Sequence, residues 1–387
     1  MNVYSVPDNR KTAGLLPDDF VASSEKGRIE VVNRLADEWR TLCQESSQDF
    51  PFCRPEWISA FLRAFLPDSK VLVVTVRYRG RLQFILPLVE ERGFCFGVPV
   101  RMLRAPVNSH SCLFDAVRSA STTGEAAVLA AWDYLQKLRS WDVLELGEVP
   151  ETGVLPQLTR AAEGCGFAIG QVAMRPTPLV PVPNDMDSLK QLPRNARLRG
   201  KLRHIRRELA TQGQLRLRRV EQADPATLER FYKLEAAGWK GQDGSAIVCD
   251  VKTRQFYDEV AQSAARFSYL SLYLLELNDQ LLAAHFGLSQ DGRYFSPKVA
   301  YDEKLKAWAP GHLIVSEILQ DCVARKISSY DITGPDDEWK MKWTAQILPK
   351  HKFYIFGEGL RGRFAHLLGF RLRLRLTKLL RRSDCKA

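Results

Sequence analysis

Long apolar runs are missing from this 387-residue sequence, and their absence excludes several classes of protein. No stretch approaches the 18 or more apolar residues that a membrane-spanning helix needs. Residues 1–24 lack the apolar centre of a secretory signal peptide. Apolar residues still make up 45% of the chain and charged residues 26%, values that exclude wholesale disorder. We therefore expect a folded cytoplasmic protein, and the length predicts two domains of about 150 residues or more.

Residue spacings typical of metal sites are also missing. The eight cysteines are scattered without a CxxC pair, and the six histidines form no HxxxH or HExxH motif. Both zinc sites and disulfide frameworks depend on such spacings. We therefore expect neither a metal cofactor nor a disulfide-stabilised fold.

Positive charge is present in excess, but it is concentrated in two segments. The chain carries a formal net charge of +11. Residues 190–219 have eleven Lys and Arg against one acid, and residues 361–387 have nine against one, so the two segments together carry +18. The remaining residues then carry −7. A mildly acidic body with two basic segments argues against a protein that coats nucleic acid over its whole surface.

Hydrophobic patterning predicts a mixed α/β protein whose two halves resemble each other. Each half has a strand–turn–strand signature, around Leu82 and around Leu281, with helices nearby and a later strand that ends at glycine. The proline-rich stretch 175–187 predicts an extended connector between the halves. The echo indicates duplication, although a mixed chain can produce such matches by chance. We predict a flexible lead-in (1–27), two domains (28–183 and 184–358) and a basic tail (359–387).

Chemistry-bearing residues are densest between Arg293 and Trp343. Pro310-Gly311-His312 opens a predicted helix, and a helix N-terminus binds phosphate through its unpaired N–H groups. An ordinary loop-to-helix start is the alternative. Further on, Asp331 ends a predicted strand, Gly334 follows it, and Lys340 and Lys342 flank an aromatic-rich segment. Lysines here could stabilise an oxyanion or a donor phosphate, and a solvated charged face is the alternative.

These motifs and their order along the chain resemble those of the GNAT-like acyltransferase family of cellulose and exopolysaccharide biosynthesis. The resemblance rests on a basic helix, an apolar strand, a Pro-Gly-His start and a late strand with its Trp-Lys pair, and it extends to a segment of the first half. These stretches are Arg194–Leu209, Gly238-Trp239, Leu281–Gly287, Ala300–Asp302, Pro310–Leu313, Tyr330–Ile332, Gly334, Trp339-Lys340, Pro51–Trp57 and Leu86–Leu88. The family is similar to the Fem-type peptidyltransferases.

The resemblance implies a fold, a reaction and a set of site residues. It implies an α/β (α+β) fold of two tandem GNAT-like domains, each a mixed, mainly antiparallel sheet flanked by helices. It implies an acyltransferase that uses acetyl-CoA or another acyl-CoA and no metal. The implied catalytic residue is Lys340. From their own chemistry Asp331 could pair with a lysine or orient a substrate amine, and His285, where family members often have glutamine, could be a general base, with a buried core histidine as the alternative. The implied cofactor-binding residues are Lys298, Val299, Pro310, Gly311, His312 and Leu313, and the implied substrate-binding residues are Trp57, Trp239, Tyr301, Trp339 and Lys342. Of the Gly-rich loop found in ordinary GNAT enzymes, only Pro310-Gly311-His312 is present.

Three functions are compatible with the sequence. The first is acyl transfer to an amine or hydroxyl of a cell-envelope or exopolysaccharide precursor. The second is an aminoacyl-tRNA-dependent Fem-type transferase, which is the only case in which we expect a nucleic acid partner. The third is a non-catalytic, membrane-peripheral partner of a polysaccharide synthase. Residues 361–382 predict either a basic helix on the inner face of the plasma membrane or a helix docked on its own domain, although 371–376 alternate like a strand.

Overall fold

The computed structural model describes residues 19–372, which form two compact units. Unit 1 contains residues 19–59, 67–174 and 351–372, and unit 2 contains residues 60–66 and 175–350. The chain passes between the units at residues 59/60, 66/67, 174/175 and 350/351. The first crossing lies inside a helix, the second just after it, and the last two lie inside strands. This division differs from the boundary predicted between residues 183 and 184, and it places residues 351–358 in unit 1.

Unit 1 is a mixed, mainly antiparallel sheet flanked by helices. Its first four strands form an antiparallel meander, β6 runs parallel to β4, and β5 pairs with β3. The strands are β1 (Phe20–Gly27), β2 (Lys70–Tyr78), β3 (Arg81–Cys95), β4 (Val98–Arg104), β5 (Val117–Arg118), β6 (Val143–Pro150) and parts of β7 (Ala168–Pro181) and β13 (Ile347–Phe356). The helices are α1 (Ile29–Glu45), the start of α2 (Pro55–Phe65), α3 (Thr122–Lys137), α4 (Leu155–Gly164) and α12 (Leu360–His366).

Unit 2 repeats this plan with a second antiparallel meander of four strands. The strand order is β8, β9, β10, β11, β12 and then the second part of β7, with β11 and β12 parallel. The strands introduced here are β8 (Leu215–Val220), β9 (Leu272–Leu277), β10 (Gln280–Gln290), β11 (Arg293–Tyr301) and β12 (Ser329–Asp331). The helices are α5 (Met186–Leu189), α6 (Ala196–Gln212), α7 (Pro225–Ala237), α8 (Trp239–Gln242), α9 (Val251–Arg266), α10 (Pro310–Ala324) and α11 (Glu338–Met341).

The two predicted hairpins are confirmed, and both use the same turn. Arg79-Gly80 joins β2 to β3, and Asn278-Asp279 joins β9 to β10. All four of these residues have positive φ, the conformation of the two-residue turns whose twist matches that of the strands. The turns lie 199 residues apart, the same offset as the sequence echo.

The core of unit 2 places α6 and α10 against the sheet. The apolar residues of α6 that repeat every three or four positions are the buried ones, Leu202, Ile205 and Leu209. They pack with Leu313 and Ile318 of α10 in one cluster. The basic residues of α6 consequently face solvent, as the amphipathic pattern predicts.

Two sequence-based expectations about irregular segments have different outcomes. Residues 20–27 are not a flexible lead-in, because they form β1, which pairs with β2 along its whole length. The predicted extended connector is confirmed for residues 175–181, which continue β7 into unit 2 and pair with β12, whereas Met186 and Asp187 belong to α5. Residues 1–18 of the predicted lead-in lie outside the described residues.

The described part of the basic tail is helical. α12 continues through one wider helical turn, Leu367–Leu372, so Arg371 and Leu372 do not begin a strand. The rest of the tail, residues 373–387, lies outside the described residues. Between residues 19 and 372, no helix is long and apolar enough to cross a membrane.

Candidate functional site

The site is an opening in the sheet of unit 2, where β11 and β12 part. The two parallel strands pair only over three positions, the last being Phe295 with Asp331. β11 continues for six more residues to Tyr301, whereas β12 ends at Asp331. Crevices at the carboxyl ends of diverging parallel strands are common ligand sites. Beyond Phe295, β11 therefore has no strand partner on this side within the described residues, and Asp331 lies where the two strands part.

Asp331 is a buried carboxylate at the root of this opening. Burial raises its pKa to about 6, against the lowering effect of the Thr333 N–H and of the charges on Lys350 and Lys340. The Thr333 N–H donates to Asp331 Oδ1 over 2.7 Å. A carboxylate with a pKa near 6 is suited to accept a proton at neutral pH. The structure therefore gives this predicted catalytic residue an environment that fits a general base.

Lys340 supports the loop that follows Asp331. Its Nζ donates to the carbonyl oxygens of Thr333 (2.6 Å) and Pro335 (2.9 Å), and the residue is only 6% exposed. Gly334 lies between those carbonyls with a φ of +62°, and a Cβ there would lie 3.3 Å from Lys340 Nζ. This backbone conformation favours glycine. The contacts make Lys340 a positioning residue for the loop.

The N-terminus of α10 presents a histidine whose hydrogen position can be assigned. Trp343 Nε1 donates to His312 Nδ1 over 3.1 Å. Because an indole N–H can only donate, Nδ1 is the acceptor and the imidazole hydrogen is on Nε2. Burial, together with Lys342 and Lys201, lowers the pKa of His312 to about 4. His312 is therefore a neutral N–H donor at physiological pH.

Backbone donors at this helix end are few, and lysines add positive charge. The N–H groups of His312 and Leu313 both bond to the Ala309 carbonyl, and Pro310 has no N–H. Gly311 supplies the remaining first-turn N–H, which has no backbone acceptor within residues 19–372. Lys342 and Lys201 stand close enough to affect the His312 pKa. Sequence reasoning missed Lys201, since its place beside α10 depends on how α6 packs.

Lys298 and Val299, predicted to bind the donor, lie beside a buried ion cluster. Glu235 is 2% exposed, and its carboxylate lies 3.0 Å from Lys240 Nζ and 3.9 Å from Lys298 Nζ. Lys240 also donates to the Val299 carbonyl over 2.7 Å. Sequence reasoning missed Glu235 and Lys240, although Lys240 directly follows the Gly238-Trp239 motif. The charge of Lys298 is thus balanced within the protein.

The predicted substrate-binding aromatics divide into exposed and buried residues. Trp239 is 54% exposed and Tyr301 is 37% exposed. A Cβ at Gly311 would lie 3.1 Å from Tyr301 Cδ1, so this ring lies directly over the start of α10. Trp339 is half-buried with its ring 6.1 Å from that of His312. Trp57 instead lies in the core of unit 1, 3% exposed and edge-on to Phe52, which contradicts its assignment to a substrate surface.

His285 lies in a separate, fully buried cluster. Its Nδ1 is 3.1 Å from the Tyr330 hydroxyl, which is also 3.1 Å from Ser296 Oγ. Burial, with a smaller contribution from Lys240, lowers the pKa of His285 to about 3. Tyr330 and Asp331 are adjacent in a strand and point to opposite faces of the sheet. His285 is therefore a fully buried, weak base on the sheet face that packs against α10, and its burial and low pKa argue against its predicted catalytic role.

Metal chemistry has no obvious ligand set here. Among residues 19–372, no group of three or more His, Cys, Asp or Glu side chains is arranged to hold a metal ion. The seven cysteines in that range are all free thiols.

Comparison with known proteins finds a domain model that matches part of the chain and solved structures with a similar fold. Residues 196–341 match the family model described as an acetyltransferase (GNAT) domain. Among curated proteins, no sequence matches the chain. The structure is similar to FemX, with a TM-score of 0.59 and 13% identity over 88% of this chain and 100% of that one. It is also similar to L-PGS from Bacillus licheniformis, with a TM-score of 0.52 and 10% identity over 87% of this chain and 96% of that one.

At these identities the solved structures establish the fold alone. The predicted fold class of GNAT-like domains in tandem, with mainly antiparallel sheets flanked by helices, is confirmed. The residues of the site from Lys201 to Lys340 lie inside the matched segment, and Lys342 and Trp343 follow directly after its end. The candidate site of this chain therefore lies mostly within the segment that matches the acetyltransferase (GNAT) domain model.

Proposed function

We propose that the chain transfers an acyl group from acyl-CoA to an amine or hydroxyl of an anionic cell-envelope or exopolysaccharide precursor. The observation that carries this proposal is the opening between β11 and β12, which has a buried carboxylate at its root and an anion-attracting helix end beside it. The match of residues 196–341 to a GNAT domain supports the reaction class.

The donor phosphates would lie at the N-terminus of α10. The Gly311 N–H, the His312 Nε2–H and the charges of Lys342 and Lys201 converge there, and a helix N-terminus adds its dipole. Because His312 is already neutral, it offers a hydrogen-bond donor that does not depend on pH near neutrality. The exposed rings of Trp239 and Tyr301 provide flat apolar surfaces beside this position.

Acyl-CoA supplies the activated acyl thioester for the reaction. The acceptor nitrogen or oxygen forms a bond to the thioester carbonyl carbon, the C–S bond breaks, and the sulfur leaves as a thiolate. We assign the proton that the acceptor loses to Asp331, which the reacting amine or hydroxyl would reach through the opening between β11 and β12, because the carboxylate points to the sheet face away from α10. Lys340 holds the Thr333–Pro335 loop in place beside the carboxylate, so its effect on the reaction is indirect.

For the part of the acceptor that does not react we propose a cavity of about 430 Å³ between α5, α6 and α10. Its floor is apolar, with Leu189, Leu202 and Leu313, and its rim carries Arg203 and Arg206. Arg206 bonds to Glu317 over 3.0 Å, so part of this positive charge is balanced. Apolar walls with a basic rim suit a precursor that joins an apolar chain to phosphate groups.

Calorimetric titration with acetyl-CoA and longer acyl-CoAs tests the donor assignment. We expect saturable binding and, with a suitable acceptor, release of free CoA thiol. Absence of binding for every acyl-CoA tested would rule out this donor class.

An aminoacyl-tRNA donor is the second candidate, and the exposed basic face of α6 favours it. Arg197, Lys201, Arg203 and Arg207 of this helix are all solvent-exposed. Phosphate contacts through such residues must weaken as salt rises, with a slope set by their number. tRNA binding that falls steeply with salt would support this donor, and salt-insensitive or absent tRNA binding would exclude it.

A further inference from the structure

The C-terminal helix is firmly docked on unit 1 through small residues. Gly362, Ala365 and Gly369 of α12 and its continuing turn are buried. A Cβ at Gly369 would lie 2.3 Å from the Phe96 ring, so the backbone approaches that ring closely. Phe370 packs with Phe96, its ring centroid 5.5 Å away, in an aromatic cluster of unit 1. These contacts fix which side of the helix faces outward.

The outward side is a stripe of large apolar residues. The exposed fractions are 75% for Leu360, 53% for Phe364, 37% for Leu367, 42% for Leu368 and 39% for Leu372. Their spacings of four, three, one and four positions keep them on one side of a helix. Single exposed apolar residues are ordinary, whereas a contiguous group of this kind marks a binding surface. We call these five residues the apolar stripe.

A basic cavity lies next to the apolar stripe. It has a volume of about 280 Å³, and Arg363, His366 and Arg371 line it together with one acid, Glu358. Arg363 and Arg371 form no ion pair with any residue between 19 and 372. Most arginines of unit 1 do form one, as Arg101 does with Asp142. The cavity therefore offers two guanidinium groups, which suit phosphate.

We propose that this helix docks the protein on an anionic lipid bilayer. The apolar stripe enters the interfacial region of the bilayer, and Arg363 and Arg371 bind phosphates of anionic lipids at the cavity. An amphipathic helix with arginines beside its apolar face has the composition of an interfacial helix. Residues 373–387 add six Lys and Arg against one acid in the sequence, which strengthens attraction to an anionic surface. The same charges would repel a second copy of this surface.

Vesicle flotation with the full chain tests this inference. Vesicles of phosphatidylcholine and phosphatidylglycerol in a three-to-one ratio should bind the protein, and binding should weaken as salt rises. Pure phosphatidylcholine vesicles should bind it at least about tenfold more weakly. Phe364→Glu should lower the affinity for the mixed vesicles by about tenfold or more, because a charge replaces an exposed ring that would enter the bilayer. Leu129→Glu is the matched control, since Leu129 is 56% exposed on α3, and it should have no effect.

The arginines have a test of their own. The double variant Arg363→Ala, Arg371→Ala should bind the mixed vesicles more weakly, by several-fold for each charge removed. Its vesicle binding should also depend less on salt concentration than that of the wild type. Arg160→Ala, an exposed arginine on α4, is the control and should bind like the wild type.

Four results would overturn the inference. These are absence of binding to the mixed vesicles, equal losses for Phe364→Glu and Leu129→Glu, a dimer that Phe364→Glu converts to monomer, and binding that appears only after residues 373–387 are removed. The third result would assign the apolar stripe to a second copy, and the fourth would assign it to the chain's own C-terminus.

Discussion

Replacing Lys340 by methionine tests the role that the structure gives this lysine. Methionine has a similar length but cannot donate a hydrogen bond. The substitution leaves the Thr333 and Pro335 carbonyls without the donor that now lies 2.6 Å and 2.9 Å away. The ammonium is also 3.6 Å from Asp337, a weaker contact at a half-exposed side chain.

The expected loss follows from the two short hydrogen bonds. A hydrogen bond that involves a charged group contributes about 1.5–3 kcal/mol to stability, and removing the charge recovers part of the desolvation of the buried lysine. We therefore expect Lys340→Met to lower the free energy of unfolding by about 2–4 kcal/mol. Lys342→Met is the matched control, since Lys342 is 36% exposed and lies 3.3 Å from Glu338. Its exposed ion pair contributes at most about 1 kcal/mol.

Urea unfolding followed by tryptophan fluorescence measures this difference. Trp339 and Trp343 flank Lys340 in sequence and report on the same loop. The reasoning is refuted if Lys340→Met unfolds at the same urea concentration as Lys342→Met and the wild type.

Three further predictions concern neighbouring residues. In the wild type, the pKa of Asp331 is about 6 in the folded state and 3.8 in the unfolded state, so the free energy of unfolding falls by about 3 kcal/mol as pH rises through that window. Asp331→Asn removes this loss and should therefore raise the free energy of unfolding at pH 7.5. The same variant should lose acyl transfer and the rise of rate near pH 6, and a variant with wild-type turnover would show that Asp331 is not the base. His285→Gln should transfer acyl groups within about threefold of the wild type and should resist unfolding better at pH 4.5. The pKa of His285 is about 3 in the folded state, below its ordinary 6.5, so protonation of the unfolded chain lowers the stability of the wild type as pH falls. A large loss of turnover in His285→Gln would instead support a catalytic role for His285. Gly334→Ala should destabilise by about 1 kcal/mol or more in thermal unfolding because of the positive φ, and an unchanged melting temperature would argue against that strain.

Local signals explain what the sequence predicts well. Arg79-Gly80 and Asn278-Asp279 are two-residue turns between alternating or apolar strands, and both form hairpins. The spacing of Leu202, Ile205 and Leu209 identifies the buried side of α6. Each of these features depends on neighbours within a few positions, which a single sequence displays directly.

Tertiary packing explains what the sequence predicts poorly. Trp57 and Trp239 are both tryptophans beside charged residues, yet one is 3% exposed and the other 54% exposed. β1 forms because residues 20–27 find a partner strand about 50 positions later. Lys201 reaches the vicinity of His312 only because α6 packs beside α10. The local periodicity of a sequence does not show which distant segments pair in this way.

Calorimetric titration of acetyl-CoA into the full chain tests the central claim most directly. The account predicts saturable binding that Lys342→Gln weakens by about fivefold or more, because it removes one charge beside the α10 N-terminus. Lys233→Gln is the control, a lysine of the same unit that is 75% exposed, and it should leave the affinity unchanged. No binding by the wild type, or equal weakening by both substitutions, would contradict the placement of the donor at this helix end.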